Sequence, residues 1–197
     1  MSEIKDTDLF LLGIKPALLT WDQDDRFDEL LKYPAITDFE PMRYDYGRKR
    51  YFKNWIFFQT EDQKQEVLKK VEELGITSIN DVEAERLLGH ILGYPPKAVD
   101  SYIDILCEKD HDRKRAMEQR RCYVRYFGFR FICFVEHILE SIKWLWSKYP
   151  SNRSLILDYD DEETEINYGE IHEIQRWVDQ VETKIYLKSN GLVHTEV

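Results

Sequence analysis

The sequence predicts an α+β protein in which helices and strands do not alternate regularly. Some segments carry apolar residues at three- and four-residue spacing, which indicates helices with one buried face. Others consist almost wholly of aromatic and β-branched residues, which favour strands. Because the two kinds do not alternate, a doubly wound parallel sheet is disfavoured. For 197 residues we expect one domain, 1–197, with an antiparallel or mixed sheet of about six strands, flanking helices and a three-helix insert at about 60–108.

The segment from Arg120 to Pro150 holds most of the material for a core. Its first half is aromatic, β-branched or Cys and predicts one long central strand from Cys122 to Phe134, apolar on both faces. Gly128 inside it indicates a bulge or a close backbone approach. The second half predicts an amphipathic helix that ends at Pro150. Trp144 points away from its apolar face, so it either packs under another element or contacts a partner.

The first sixty residues have a weaker pattern. Residues 24–33 predict a short helix, residues 41–50 a loop, and the run from Tyr51 to Gln59 a strand with apolar residues on both faces. These elements precede the insert.

The insert consists of three predicted helices separated by glycine stops. Thr60 and Gln63 form a capping box at the start of the first helix, and Gly75 ends it. The second helix runs up to Gly93. The third begins with Pro95-Pro96, because the first turn of a helix tolerates a missing N–H.

The last ninety residues predict a connector, two short strands, a helix and a terminal hairpin. Residues 109–121 form a charged connector, and two short strands at 154–159 and 164–168 are joined by an acidic turn. A helix follows Gly169. The pair Asn190-Gly191 lies between apolar runs and predicts a terminal hairpin, since both residues accept positive φ.

Composition predicts a soluble cytoplasmic protein. The first residues lack a signal-peptide pattern, and no apolar run approaches the roughly 18 to 20 residues of a membrane span. Three cysteines at unrelated spacings do not form a disulfide framework. The net charge of −10 disfavours nonspecific binding to nucleic acid, whose affinity comes from neutralised phosphates.

Motifs for metal, nucleotide or acyl-transfer chemistry are missing from the sequence. Neither the five histidines nor the acidic run 158–163 has the spacing of a zinc or calcium site. The glycine-rich phosphate loops and the nucleophile elbow are absent as well. We therefore predict no cofactor, no metal and no catalytic residue. Cys122 follows two arginines that could lower its pKa, but the sequence assigns it no partner.

Two basic clusters interrupt the acidic chain. Residues 41–60 carry a net charge of +4 and residues 109–130 carry +5, with tyrosines interleaved. Arginine beside aromatic residues can hold phosphate or carboxylate and stack on planar groups, although an ion-paired surface explains the same residues without a ligand. The candidate ligand- or partner-binding residues are Arg48, Arg50, Arg113, Arg115, Arg120, Arg121, Arg125, His137 and Trp144.

Three functions remain open. The leading hypothesis is a non-enzymatic protein-interaction module of the inhibitor, immunity or adaptor type, suggested by the acidic charge, by Trp144 and Trp177 as exposed aromatics, and by the missing catalytic motifs. The first alternative is a module that binds an anionic ligand, a nucleotide or short nucleic acid, between the two basic clusters. The second is an enzyme whose site is assembled from scattered residues such as His90, His137, Cys122 and Arg125.

Overall fold

The structure is a computed structural model that describes residues 4–37, 43–45, 50–52, 54–76 and 81–191; for 43–45 and 50–52 it describes the backbone. The chain divides into two compact units, Met1–Gly93 and Tyr94–Val197. We call them the N-terminal and the C-terminal unit. The single domain predicted from chain length stays a prediction.

The α+β class is confirmed. The described residues form helices α1 Asp6–Leu11, α2 Phe27–Leu30, α3 Glu61–Glu73, α4 Val82–Ile91, α5 Pro96–Cys107, α6 His111–Glu118, α7 Ile138–Lys148 and α8 Ile171–Ser189, with a 3-10 turn at Val135–His137. The strands are β1 Ala17–Trp21, β2 Ala35–Ile36, β3 Arg43–Asp45, β4 Arg50–Phe52, β5 Asn54–Phe58, β6 Arg121–Tyr126, β7 Phe129–Phe134, β8 Leu155–Tyr159 and β9 Glu162–Ile166.

The N-terminal unit is built on a three-stranded antiparallel sheet of order β1-β5-β2, and β3 pairs with β4 in a separate two-stranded sheet. One cluster of its core consists of Phe10, Leu18, Leu30 and Phe57. These side chains come from α1, β1, α2 and β5, so burying them ties the helices to the sheet.

A carboxylate fixes the turn that follows β1. The Asp24 Oδ2 atom accepts hydrogen bonds from the hydroxyls of Thr7 (2.7 Å) and Thr20 (3.0 Å), and its Oδ1 atom accepts one from the Arg26 N–H (2.9 Å). Burial alone would raise the pKa of Asp24, but these bonds favour the charged form and the pKa lies below its usual value. One ionised side chain thereby joins α1, β1 and the residue before α2.

The three helices of the predicted insert are confirmed at α3, α4 and α5. Thr60 caps α3 as predicted, with the Gln63 side chain accepting a bond from the Thr60 N–H. Gly75 has a φ of +63°, the left-handed conformation expected just beyond a helix end. The first two helices belong to the N-terminal unit, and α5 opens the C-terminal unit.

The C-terminal unit contains a four-stranded antiparallel sheet of order β7-β6-β8-β9. Helix α7 lies where its apolar spacing predicts, and it buries Ile138, Ile142, Leu145 and Trp146. The long helix α8 buries Ile174, Trp177, Val178, Val181 and Ile185. Both helices therefore present one apolar stripe to the interior of this unit.

The prediction of one long strand from Cys122 to Phe134 is wrong. The chain folds back at Phe127-Gly128, so that β6 and β7 form an antiparallel hairpin in which Tyr126 lies opposite Phe129. Both turn residues have positive φ, +47° and +84°, as a type I′ turn requires. The hairpin buries Tyr126, Phe129 and Phe134 on two adjacent strands.

The first strand of the predicted C-terminal hairpin is wrong, and its second strand, at 192–197, lies outside the described residues. Residues that were expected to form its first strand continue α8 to Ser189, and Asn190 is the helix cap. Gly191 has a φ of +66°. The Asn-Gly pair supplies the positive φ that was predicted, but it serves a helix end rather than a turn between strands.

Within the described part of the chain, no helix has both the length and the apolar character needed to cross a membrane.

Candidate functional site

The four-stranded sheet has one buried and one accessible face. In an antiparallel ladder, residues directly opposite each other point to the same side. Cys122, Val124 and Tyr126 on β6 are buried. The alternate residues, Arg121, Tyr123 and Arg125, therefore share the accessible face with Asp158, the partner of Tyr123 on β8. Two of the predicted basic residues, Arg121 and Arg125, are thus presented on one surface together with Tyr123.

A groove of about 630 Å³ lies at one end of this face. It is formed by the end of α6, the start of β6, the end of β8 with the turn that follows, and the last turn of α8. We call it the Tyr123 groove. Its lining residues are Arg115, Glu118, Gln119, Arg121, Tyr123, Asp158, Tyr159, Asp160, Asp161 and Lys188.

An arginine and a tyrosine are held together in the groove. The Arg121 guanidinium pairs with the Glu118 carboxylate at 2.7 Å and lies 5.0 Å from the centre of the Tyr123 ring. Tyr123 nevertheless remains 44% exposed. The cation on one side restrains the ring, while its remaining surface is open to a partner.

Charged groups without partners also line the groove. Lys188 pairs with Asp160 at 2.6 Å. By contrast, Arg115, Asp158 and Asp161 make no side-chain hydrogen bond or ion pair with any described residue. The groove therefore offers unpaired charge of both signs beside the Tyr123 ring.

The predicted basic residues of the second cluster are divided between several places. Arg115 and Arg121 line the groove, Arg125 pairs with Glu163 on the accessible face of the sheet, and Arg113 is exposed on α6. Arg120 pairs with Glu136 at 3.0 Å, and this hydrogen bond holds its pKa above the usual value. Arg120 is thus an internal counter-charge rather than part of the groove.

Residues of the first basic cluster belong to the N-terminal unit. Arg48 lies outside the described residues, and for Arg50 the structure describes the backbone of β4 and not the side chain. Their role as binding residues stays a prediction.

His137 and Trp144 contribute to packing at other places. The His137 Nδ1 atom lies 3.0 Å from the hydroxyl of the buried Ser101, which also accepts a bond from the Phe134 N–H. Trp144 is half-buried and contacts Tyr149 edge-on, with ring centres 6.0 Å apart. Neither residue lines the Tyr123 groove.

Trp177 was expected to be exposed, and this expectation is wrong. It is 6% exposed, on the buried stripe of α8. An isolated indole on a helix is often core material, and here it belongs to the same stripe as Ile174 and Val181.

Within the C-terminal unit, two of the residues suggested for a scattered catalytic site, Cys122 and Arg125, lie on opposite faces of the sheet. Cys122 points to the buried face of β6, Arg125 to the accessible face, and His90 lies in α4 of the N-terminal unit. Burial raises the pKa of the Cys122 thiol well above its usual value, so the preceding arginines do not activate it. Among the described residues, no group of three or more His, Cys, Asp or Glu side chains is placed to hold a metal ion.

Several groove residues were missed because they come from distant segments. Asp158 meets Tyr123 through the register of β6 and β8, and Lys188 arrives from the end of α8. No local pattern in the sequence signals such convergence, since it depends on strand order. The predicted terminal hairpin also placed Lys188 on a strand, whereas in the structure it lies in the last turn of α8 and lines the groove.

Comparison with known proteins identifies no relative. The chain matches no family model, no curated protein and no solved structure.

Proposed function

We propose that the protein is a cytoplasmic, non-enzymatic protein-interaction module of the inhibitor, immunity or adaptor type, and that it contacts its partner through the Tyr123 groove. The observation that carries this proposal is the exposed Tyr123 ring, which lies beneath the Arg121 guanidinium in an open groove with unpaired charges.

Tyrosine and arginine support a protein partner because they dominate the energetics of protein interfaces. A tyrosine side chain buries a large area and loses little conformational entropy on binding. The restraint of the Tyr123 ring by Arg121 at 5.0 Å reduces that loss further. The Arg121–Tyr123 pair is therefore the expected centre of the interface.

The charges of the groove favour a protein over a polyanion. Arg115 is unpaired, but so are Asp158 and Asp161. The carboxylates would repel a phosphate backbone, whereas a protein partner can supply charges of both signs. This arrangement supports the interaction hypothesis over the nucleotide or nucleic-acid alternative.

A reducing compartment is consistent with the cysteines. Cys107, Cys122 and Cys133 are all free thiols. Proteins of oxidising compartments commonly pair their cysteines, so the free thiols support a cytoplasmic location.

The test is capture of a stoichiometric partner by the full-length chain and by two matched tyrosine variants. Tyr123→Ala removes the ring in the groove, and Tyr186→Ala removes a ring that is 65% exposed on α8 and does not line the groove. Native mass spectrometry of the complexes should show a partner in fixed ratio for the parent and for Y186A, with recovery at least tenfold lower for Y123A. The melting temperatures of the two variants should match.

Equal recovery by both variants would overturn the assignment to the groove. A bound small mass, or strong absorbance at 260 nm that persists through purification, would instead support the anionic-ligand alternative. Arg121→Ala is the second variant of choice. Arg120→Ala is not informative, because it would leave Glu136 without its partner.

A further inference from the structure

Strand β9 lies at the edge of the four-stranded sheet. It pairs with β8 on one side, and no described strand pairs with it on the other. An edge strand leaves alternate backbone N–H and C=O groups available to an added strand. These residues are distinct from those that line the Tyr123 groove.

The hairpin geometry shows which backbone groups point outward. A two-residue turn, Asp160-Asp161, joins β8 to β9, so its closing pair, Tyr159 and Glu162, exchanges hydrogen bonds. The alternation then directs the N–H and C=O groups of Glu163 and Glu165 away from β8. No described residue forms a hydrogen bond with these outward groups.

A cavity of about 260 Å³ runs beside the same strand, between β9 and α8. Its apolar floor is formed by Ile166 and Trp177, both nearly fully buried. The remaining lining residues are mainly polar and acidic: Thr164, Glu165, Glu170, Glu173, Arg176 and Gln180. An extended chain along β9 could therefore place apolar side chains over Ile166 and Trp177.

Acidic side chains determine what kind of chain fits this edge. Strand β9 carries three glutamates and no basic residue; Glu162 pairs with Lys184 and Glu163 with Arg125, and residues 158–197 as a whole carry a net charge of −8. Glu165 has no hydrogen-bond or ion-pair partner among the described residues. A second copy of β9 is disfavoured, because antiparallel pairing of two such edges would bring glutamates together. A basic chain would instead meet complementary charge.

We propose that β9 accepts an extended segment of a partner protein as a fifth strand, and that this segment alternates basic and apolar residues. The basic side chains lie on the face of Glu163 and Glu165, and the apolar ones enter the cavity over Ile166 and Trp177. Main-chain hydrogen bonds to the outward groups of Glu163 and Glu165 hold the segment in register.

The test is isothermal titration calorimetry of the full-length protein with synthetic peptides. The probe is a capped seven-residue peptide that alternates Lys and Val. Two controls are the peptide with Glu in place of Lys, and the Lys–Val peptide with N-methyl groups on the amides along one edge. We expect binding by the probe, no binding by the Glu peptide, and at least tenfold weaker binding by the N-methylated peptide.

Two protein variants assign the site. Glu165→Pro removes an outward N–H that the sheet does not use, so it should leave the β8–β9 pairing intact. It should weaken binding of the probe peptide at least tenfold. Tyr123→Ala should bind the probe as the parent does, which separates this inference from the proposed function of the groove. Equal binding of the probe and its N-methylated form would overturn strand addition and indicate general attraction to an acidic surface. Loss of binding in Y123A would overturn the assignment to β9.

Discussion

Cys122 lies directly opposite Cys133 in the ladder between β6 and β7, and both thiols are buried. Burial raises the pKa of Cys133 to about 11, and it raises the pKa of Cys122 further. The Cys133 sulfur also lies 3.4 Å from the hydroxyl of the buried Ser141. The pair is thus core material of the C-terminal unit, although the sequence places Cys122 after two arginines.

The three thiols should react with a water-soluble disulfide reagent in two distinct steps. Cys107 is exposed, so we expect one equivalent to react rapidly in the native protein. Cys122 and Cys133 should react only when the protein unfolds, because a buried, protonated thiol is a poor nucleophile. The measurement is stopped-flow absorbance with and without denaturant. Cys107→Ser should abolish the rapid phase; a rapid phase in C107S would contradict the burial of the other two.

Tyr126→Phe should destabilise the protein by about 1 kcal/mol at neutral pH. The buried Tyr126 hydroxyl donates a hydrogen bond to the Tyr149 carbonyl oxygen at 2.9 Å, and burial raises the pKa of Tyr126 to about 12. The unfolded phenol has a pKa near 10. The stability from this group is therefore complete below about pH 10 and is lost as pH rises toward 12. Urea unfolding of parent and variant at pH 8, 10 and 11.5 should show that the difference in their free energies of unfolding shrinks as pH rises. A constant difference would contradict this role of the Tyr126 hydroxyl.

Asp24→Asn should destabilise the N-terminal unit by about 1 kcal/mol or more at pH 7, because an amide cannot accept all three bonds from Thr7, Thr20 and Arg26. The pKa of Asp24 is lowered by folding. Its contribution is therefore present above the unfolded pKa of about 4 and is lost as pH falls through the folded value. The difference in the free energy of unfolding between parent and variant, measured by urea unfolding, should be constant from pH 7 to pH 5 and shrink below pH 4.

The neighbouring residue Asp25 provides a matched control for the Asp24→Asn variant. Asp25 is 84% exposed and pairs with Lys5 at 3.2 Å. Such surface pairs contribute little to stability, so Asp25→Asn should leave the unfolding midpoint unchanged at every pH. An equal loss in both variants would show that the charge near residue 24, and not the hydrogen-bonded turn, determines stability.

Local patterns predicted the elements that depend on local physics. The capping box at Thr60, the helix end at Gly75 and the apolar stripe of α7 all follow from interactions within a few residues, and all are confirmed. The two wrong predictions about strands, the long strand over 122–134 and the terminal hairpin, come from the same source. Gly128 and Gly191 were recognised as special, but positive φ serves a bulge, a hairpin or a helix end equally well, and the choice depends on distant packing.

The candidate site was only partly predictable for a related reason. The sequence identifies Arg115 and Arg121 by their basic cluster, but it does not reveal that Arg120 between them faces Glu136. Arg120 belongs to the turn that precedes β6, whereas Arg121 is the first residue of the strand, so the two neighbouring arginines face different partners. Asp158 and Lys188 join the groove only through strand order and helix length, which no local spacing encodes.

Asp161→Gly should stabilise the β8–β9 hairpin by about 0.5 kcal/mol. Asp160 and Asp161 have φ values of +60° and +62°, and side chains at such positions are strained, while glycine is not. Asp160 stays unchanged because its carboxylate pairs with Lys188 at 2.6 Å. Thermal unfolding should show a melting temperature higher by about 1 to 2 °C. Asp161→Ala removes the same charge but keeps a Cβ atom, so it should give no increase. An equal increase in D161A and D161G would mean that relief of acidic repulsion, and not backbone strain, is responsible.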